Sequence, residues 1–227
     1  MIISENKPMN EILGFLKNAE KIVIVGCNQC AATCKSGGSE EVLKIKEALE
    51  VEGKTVLGYT MLDPACNLLK AKKDLKALKA ELEEADAVLS LACGDGTQTI
   101  VKNLKKTPVY PGNNTMFISE TKRVGEFEEA CKACGQCELG WTGGICPITM
   151  CAKGLINGAC GGAKNVKCEI SQENDCAWVK IYERLKDINQ LENLLEVRPM
   201  KDYSKQNNPR SLNLKEKQEQ KEASVEA

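Results

Sequence analysis

Short apolar runs alternate with amphipathic stretches over the first half of the chain. "KIVIVG" (21–26), "KTVLGYTM" (54–61) and "DAVLSLA" (86–92) are β-branched runs bounded by turns. That is the pattern of parallel strands covered on both faces. "TPVY" (107–110) predicts a fourth strand. Between them lie helical periods. Ser39 can cap a helix in which Val42, Ile45 and Leu49 share a face and Gly53 marks the stop. Leu68, Leu75, Leu78 and Leu82 mark a second helix, rich in lysine and glutamate. The β–α–β–α–β order implies a parallel sheet with right-handed crossovers.

The periodicity then fades into a segment rich in glycine and cysteine. It returns in "CAWVKIYERLKDI" (176–188), where Trp178, Ile181, Leu185 and Ile188 form one stripe. Beyond Pro199 the chain is polar with balanced charges, which predicts a disordered tail. The expected fold is therefore α/β, in three parts. Residues 1–122 form a small parallel-sheet domain, 123–198 a cysteine-rich, loop-rich metal-binding module with a closing helix, and 199–227 a charged tail.

Composition supplies the chemistry. A net charge of −1 gives no electrostatic case for nucleic acid or an anionic membrane. The N-terminus has no signal-peptide pattern, and no run reaches the ~20 apolar residues of a membrane span. A cytoplasmic protein is expected. The chain has 13 cysteines and no histidine. A reducing compartment and an odd count argue against a disulfide framework, so dense thiols point to metal ligands. Without histidine, mixed zinc sites and Rieske centres drop out. All-cysteine zinc and thiolate-bound iron–sulfur clusters remain.

Cys27, Cys66 and Cys93 each follow a predicted strand, and Cys30 and Cys34 extend the first loop. In open α/β sheets that end of the strands is the functional crevice. A cubane needs four thiolates, so one of the five would be spare; the bland alternative is that these are small buried hydrophobes. In "CGDGTQT" (93–99), Gly94 and Gly96 suit a tight turn presenting backbone amides to a cofactor beside Cys93. A phosphate-binding reading is weaker, because the third glycine is missing and Asp95 would repel the phosphate. Eight further thiols are Cys131, Cys134, Cys137, Cys146, Cys151, Cys160, Cys168 and Cys176. The first three form a CxxCxxC triplet, as in bacterial ferredoxins. One partition gives the triplet Cys176 as its fourth ligand and groups Cys146, Cys151, Cys160 and Cys168. A pair of four-cysteine zinc sites is the structural alternative.

"VGCNQCAATCKSGG", "ACGDGTQT", "TGGICPITMCAKGLINGACGG" and "CAWVKIYERL" together resemble the methylene-tetrahydrofolate reductase C-terminal family, the MetV-type subunits. The similarity spans roughly residues 15 to 190. "NGAC" stands where the family more often has a proline before the cysteine, and "PGNNTMF" is a looser version of its segment; neither departure removes a thiol. The resemblance implies an iron–sulfur subunit with two or three [4Fe-4S] clusters, or zinc at one site. It also implies a MetF-type TIM-barrel partner that alone binds flavin and reduces methylene- to methyl-tetrahydrofolate. A further donor subunit or ferredoxin would supply electrons. Two alternatives stay open: a zinc-stabilised scaffold of the same flavoprotein, and an electron-transfer adaptor of another redox complex.

Overall fold

The computed structural model describes residues 1–214, which fall into two compact units, Met1–Ala130 and a second beginning at Cys131. The elements of the first unit, in chain order, start with β1 (Ile2–Asn6), α1 (Met9–Phe15), β2 (Lys21–Cys27), α2 (Cys30–Thr33) and α3 (Ser39–Val51). There follow β3 (Thr55–Leu62), α4 (Leu68–Leu75), α5 (Lys79–Glu84), β4 (Ala87–Ser90), α6 (Gly94–Asn103), β5 (Val109–Pro111), β6 (Asn113–Arg123) and β7 (Glu126–Cys131). The fold is mixed α/β, with a parallel four-stranded sheet in the order β3-β2-β4-β5.

The two faces of β2 explain its central place. Val23 and Val25 enter one apolar cluster, with Ala71, Leu75 and Leu82 of α4 and α5 and Ile100 of α6. Ile22 and Ile24 enter the other, with Ile12 of α1 and Val42 and Leu49 of α3. Successive strand residues point to opposite faces, so an unbroken apolar run needs helices on both.

Two helices differ from the expectation. Gly38, not Ser39, caps α3: its N–H donates to the Glu41 carboxylate at 3.0 Å, and Ser39 is the first helical residue. The leucine stripe after β3 is not one helix but α4 and α5, joined by a 3-10 turn at Lys76–Leu78. Leu75 and Leu82 are buried, whereas Leu68 is exposed. The tighter turn re-phases the stripe so that Leu78 and Leu82 reach the same cluster.

A three-stranded sheet in the order β1-β6-β7 had no counterpart in the sequence reading. β1 runs antiparallel to β6, with Ile2 opposite Ile118 and a register shift between Ile3 and Ser4. Val124 and Gly125 connect β6 to β7, and Gly125 adopts φ 81, a value a side chain resists.

The second unit has little regular structure. It contains α7 (Pro147–Met150) and α8 (Ala177–Asp187), and Cys176, Trp178, Ile181 and Leu185 form its buried cluster. The expected tail also differs over its described part, 199–214. Residues Tyr203–Gln206 form a 3-10 turn, and Lys201 is only 2% exposed. Hydrogen bonds to the 131–137 loop hold this segment, where composition alone predicts a solvated chain. The expectation for 215–227 lies outside the described residues. Among the described residues no helix is long and apolar enough to cross a membrane.

Candidate metal centres

All 13 cysteines are free thiols, and the fold gathers them in groups. In the first unit Cys27 is the last residue of β2, Cys66 lies just beyond β3, and Cys93 caps α6. These three lie within electrostatic reach of one another. Burial pushes the Cys93 thiol up, and the backbone at Gly96 and Asp95 partly offsets it. Cys66 is pushed up by burial and then by the Asp95 carboxylate. Each of the three thus stands at or just beyond the carboxyl end of a parallel strand.

Cys30 and Cys34 are placed differently. They stand one helical turn apart and bracket a residue of β1. The Ile2 N–H donates to Cys30 Sγ at 3.5 Å, and the Cys34 thiol faces the Ile2 carbonyl at 3.7 Å. Burial pushes the Cys34 thiol up, and Cys30 and Cys93 add to it.

Gly94 and Gly96 have packing reasons for lacking a side chain. A Cβ on Gly94 would lie 3.3 Å from Thr115 Oγ1, to which the Gly94 N–H donates at 2.7 Å. A Cβ on Gly96 would come within 2.8 Å of the Ala65 methyl and 2.9 Å of the Ala92 methyl.

In the second unit Cys151, Cys160, Cys168 and Cys176 line one cavity of about 20 Å³, together with Lys153, Glu169 and Trp178. Local backbone makes this grouping. Lys167 bridges to both Lys164 and Asp175, the Cys168 N–H donates to the Asn174 carbonyl at 2.9 Å, and the Cys176 N–H donates to the Val166 carbonyl at 2.6 Å. The small loop so closed sets Cys168 and Cys176 on the same cavity wall. Lys167 and Lys180 pair with the Asp175 carboxylate and hold its pKa down to about 2. Cys160 lies 3.3 Å from Glu169, which also pairs with Lys153. The Trp178 indole closes one side, and its N–H donates to the Leu155 carbonyl at 3.0 Å. Cys176 therefore lines the same cavity as Cys151, Cys160 and Cys168.

The triplet loop is coiled tightly: Ala133 and Gly135 have φ of 51 and 79. The Ala133 N–H points to Cys131 Sγ at 3.3 Å. Burial pushes the Cys134 thiol up, but the backbone at Gln136 and the Lys201 ammonium outweigh it, and the net shift is downward. Lys201 also donates to the Gln136 carbonyl. The sequence reading missed this lysine, because one cation in a polar segment carries no signal. Cys137 and Cys146 are exposed and half-buried respectively.

Among the described residues no three cysteine, aspartate or glutamate side chains converge closely enough to hold one metal ion. Fit therefore rests on donor chemistry and room. The shared cavity offers four sulfurs, the donor set that zinc and iron–sulfur clusters take. Backbone N–H groups and a cation stand beside the triplet sulfurs, as thiolates require. No curated protein and no solved structure matches the chain. Residues 110–204, which carry all eight of these thiols and Lys201, match the model of the family described as methylene-tetrahydrofolate reductase C terminal.

Proposed function

We propose that the chain is the iron–sulfur electron-transfer subunit of a methylene-tetrahydrofolate reductase complex. The observation that carries this is the set of eight thiols, the CxxCxxC triplet among them, inside the segment that matches the reductase family. Cys151, Cys160, Cys168 and Cys176 would hold one group there. Cys131, Cys134 and Cys137 would hold a second, with Cys146 the remaining thiol of the eight. Cys27, Cys66 and Cys93, with Cys30 or Cys34, make a third candidate set.

When bound, such clusters accept and pass on single electrons. The chain's own residues would hold them by sulfur, and Trp178 would shield the group in the four-thiol cavity. Folate reduction needs a hydride carrier and a group to manage protons. A chain without histidine is poorly suited to that task. Hydride chemistry would fall to a flavin-binding partner of the MetF type, with a ferredoxin or a further subunit as electron source.

Zinc remains a second reading for the cavity alone. A volume of about 20 Å³ admits one water-sized sphere, so a single ion fits it more easily than a cubane. Anaerobic purification followed by iron, sulfide and zinc analysis decides between the readings. The relay reading expects acid-labile sulfide and about four irons for each cluster. A colourless preparation with stoichiometric zinc and no sulfide would reject it in favour of a scaffold.

A further inference from the structure

Lys201 is one of the largest fully buried side chains in the protein, at 2% exposure, and it sits in a segment without apolar periodicity. An ammonium is costly to remove from water unless an anion or several acceptors replace the lost hydration. Among the described residues no carboxylate pairs with it. Its neighbour Asp202 is turned elsewhere, onto the backbone N–H of Ser204 at 3.0 Å and the Ser204 hydroxyl. Lys201 Nζ donates to the Gln136 carbonyl, the same oxygen that the Cys134 thiol faces at 3.4 Å. The ionisable group set beside it through that shared carbonyl is the Cys134 thiol.

The surrounding contacts hold the lysine in place. The Asp202 N–H donates to the Gln136 side-chain oxygen at 2.8 Å. Arg210 Nη1 donates to the Ala133 carbonyl at 2.8 Å and to the Lys205 carbonyl at 3.1 Å. The Lys205 backbone lies so close to Gly135 that a Cβ there would come within 3.1 Å of the Lys205 oxygen. Residues 201–210 thus form a strap across the triplet loop, with the buried ammonium on its inner side.

We infer that Lys201 is a fixed positive charge that raises the reduction potential of the group held by Cys131, Cys134 and Cys137. This rests on the relay reading, in which the triplet holds an iron–sulfur cluster. Reduction adds one electron, drawn from a one-electron carrier, and one unit of negative charge; no bond is made and Lys201 gives up no proton. A cation sealed beside the sulfurs favours the more negative state, and burial weakens the screening that water would otherwise provide. Lys201 acts through Cys134, so it is a positioning residue that also carries charge. The strap fixes the position of that side chain, where a surface lysine would be mobile and hydrated.

The test is a potentiometric titration of the full chain, prepared anaerobically, with dithionite as reductant and electron paramagnetic resonance as readout. C134S first identifies the signal of the triplet cluster by its loss. K201M keeps the length of the side chain without its charge. It should retain the iron and sulfide of the parent, and the triplet signal should titrate at a lower potential while the remaining signals stay in place. K201R should restore the potential. An unchanged midpoint in K201M would overturn the inference and leave the relay reading intact. Loss of the triplet's iron in K201M would overturn it too, because the lysine would then be structural. Failure of K201R to restore a lowered midpoint would remove the argument from charge. A parent chain without iron and sulfide would instead defeat the relay reading itself, and the inference with it.

Discussion

A methyl group on Gly37 would lie 1.7 Å from the Leu91 carbonyl oxygen, whereas one on Gly14 would meet nothing within 4 Å. The contact at Gly37 is with backbone, which cannot swing aside, and the same loop docks on β2 where the Cys27 N–H donates to the Gly37 carbonyl at 2.9 Å. Gly37→Ala should therefore destabilise the first unit by about 3 kcal/mol, at the upper end of overpacking costs. Gly14 lies exposed in α1, so Gly14→Ala should stabilise by ~0.5–1 kcal/mol through helix propensity. Urea unfolding followed by far-ultraviolet circular dichroism measures both; a Gly37→Ala midpoint equal to the parent's would refute the packing account. Legibility at this scale was uneven. The thiols were visible as candidate ligands because cysteine density is itself a signal. Lys201 was not, because its burial depends on a loop 65 residues away.

Asp86 precedes β4 and ties it to the start of β2, accepting the N–H groups of Glu20 at 2.9 Å and Lys21 at 2.8 Å. Those amides, Lys21 first, hold its carboxyl below the usual value. A carboxylate depressed in the folded state stabilises above its unfolded pKa, and that contribution is lost as pH falls through the folded pKa. Asp86→Ala should thus lower the unfolding midpoint at neutral pH. The gap to the parent should close as pH drops below about 4. Matched urea titrations across that range check this, and a gap that persisted unchanged at the acid end would remove the carboxylate from the explanation. The parallel strands around Asp86 were legible because burial on both faces leaves an unbroken apolar run. β1, β6 and β7 were not. Their half-exposed residues give weak alternation, and the pairing of Ile2 with Ile118 joins segments remote in sequence. The place of Cys176 beside Cys151, Cys160 and Cys168 was not legible for a related reason: the bridge from Lys167 to Asp175 cannot be read from spacing.

The two units differ in what holds them together. The first has two apolar clusters, on either side of a sheet; the second has one small cluster around α8. If the second unit's thiols hold metal as proposed, so small a core leaves metal–thiolate bonds to supply much of its stability. Both tryptophans, Trp141 and Trp178, lie in the second unit. Chelation under reducing conditions should shift tryptophan emission to the red while most far-ultraviolet ellipticity survives. Hydrogen exchange should rise over 131–176 and little over 1–122. Equal protection in both after full metal loss would contradict this division. The strap has a consequence in time as well as in space. During synthesis at ~5–20 residues per second, the 65 residues from Gln136 to Lys201 take roughly 3 to 13 s to emerge. For that interval the triplet loop exists without its cover. If the triplet holds a cluster as proposed, translation sets a loading window that the late arrival of Lys201 closes.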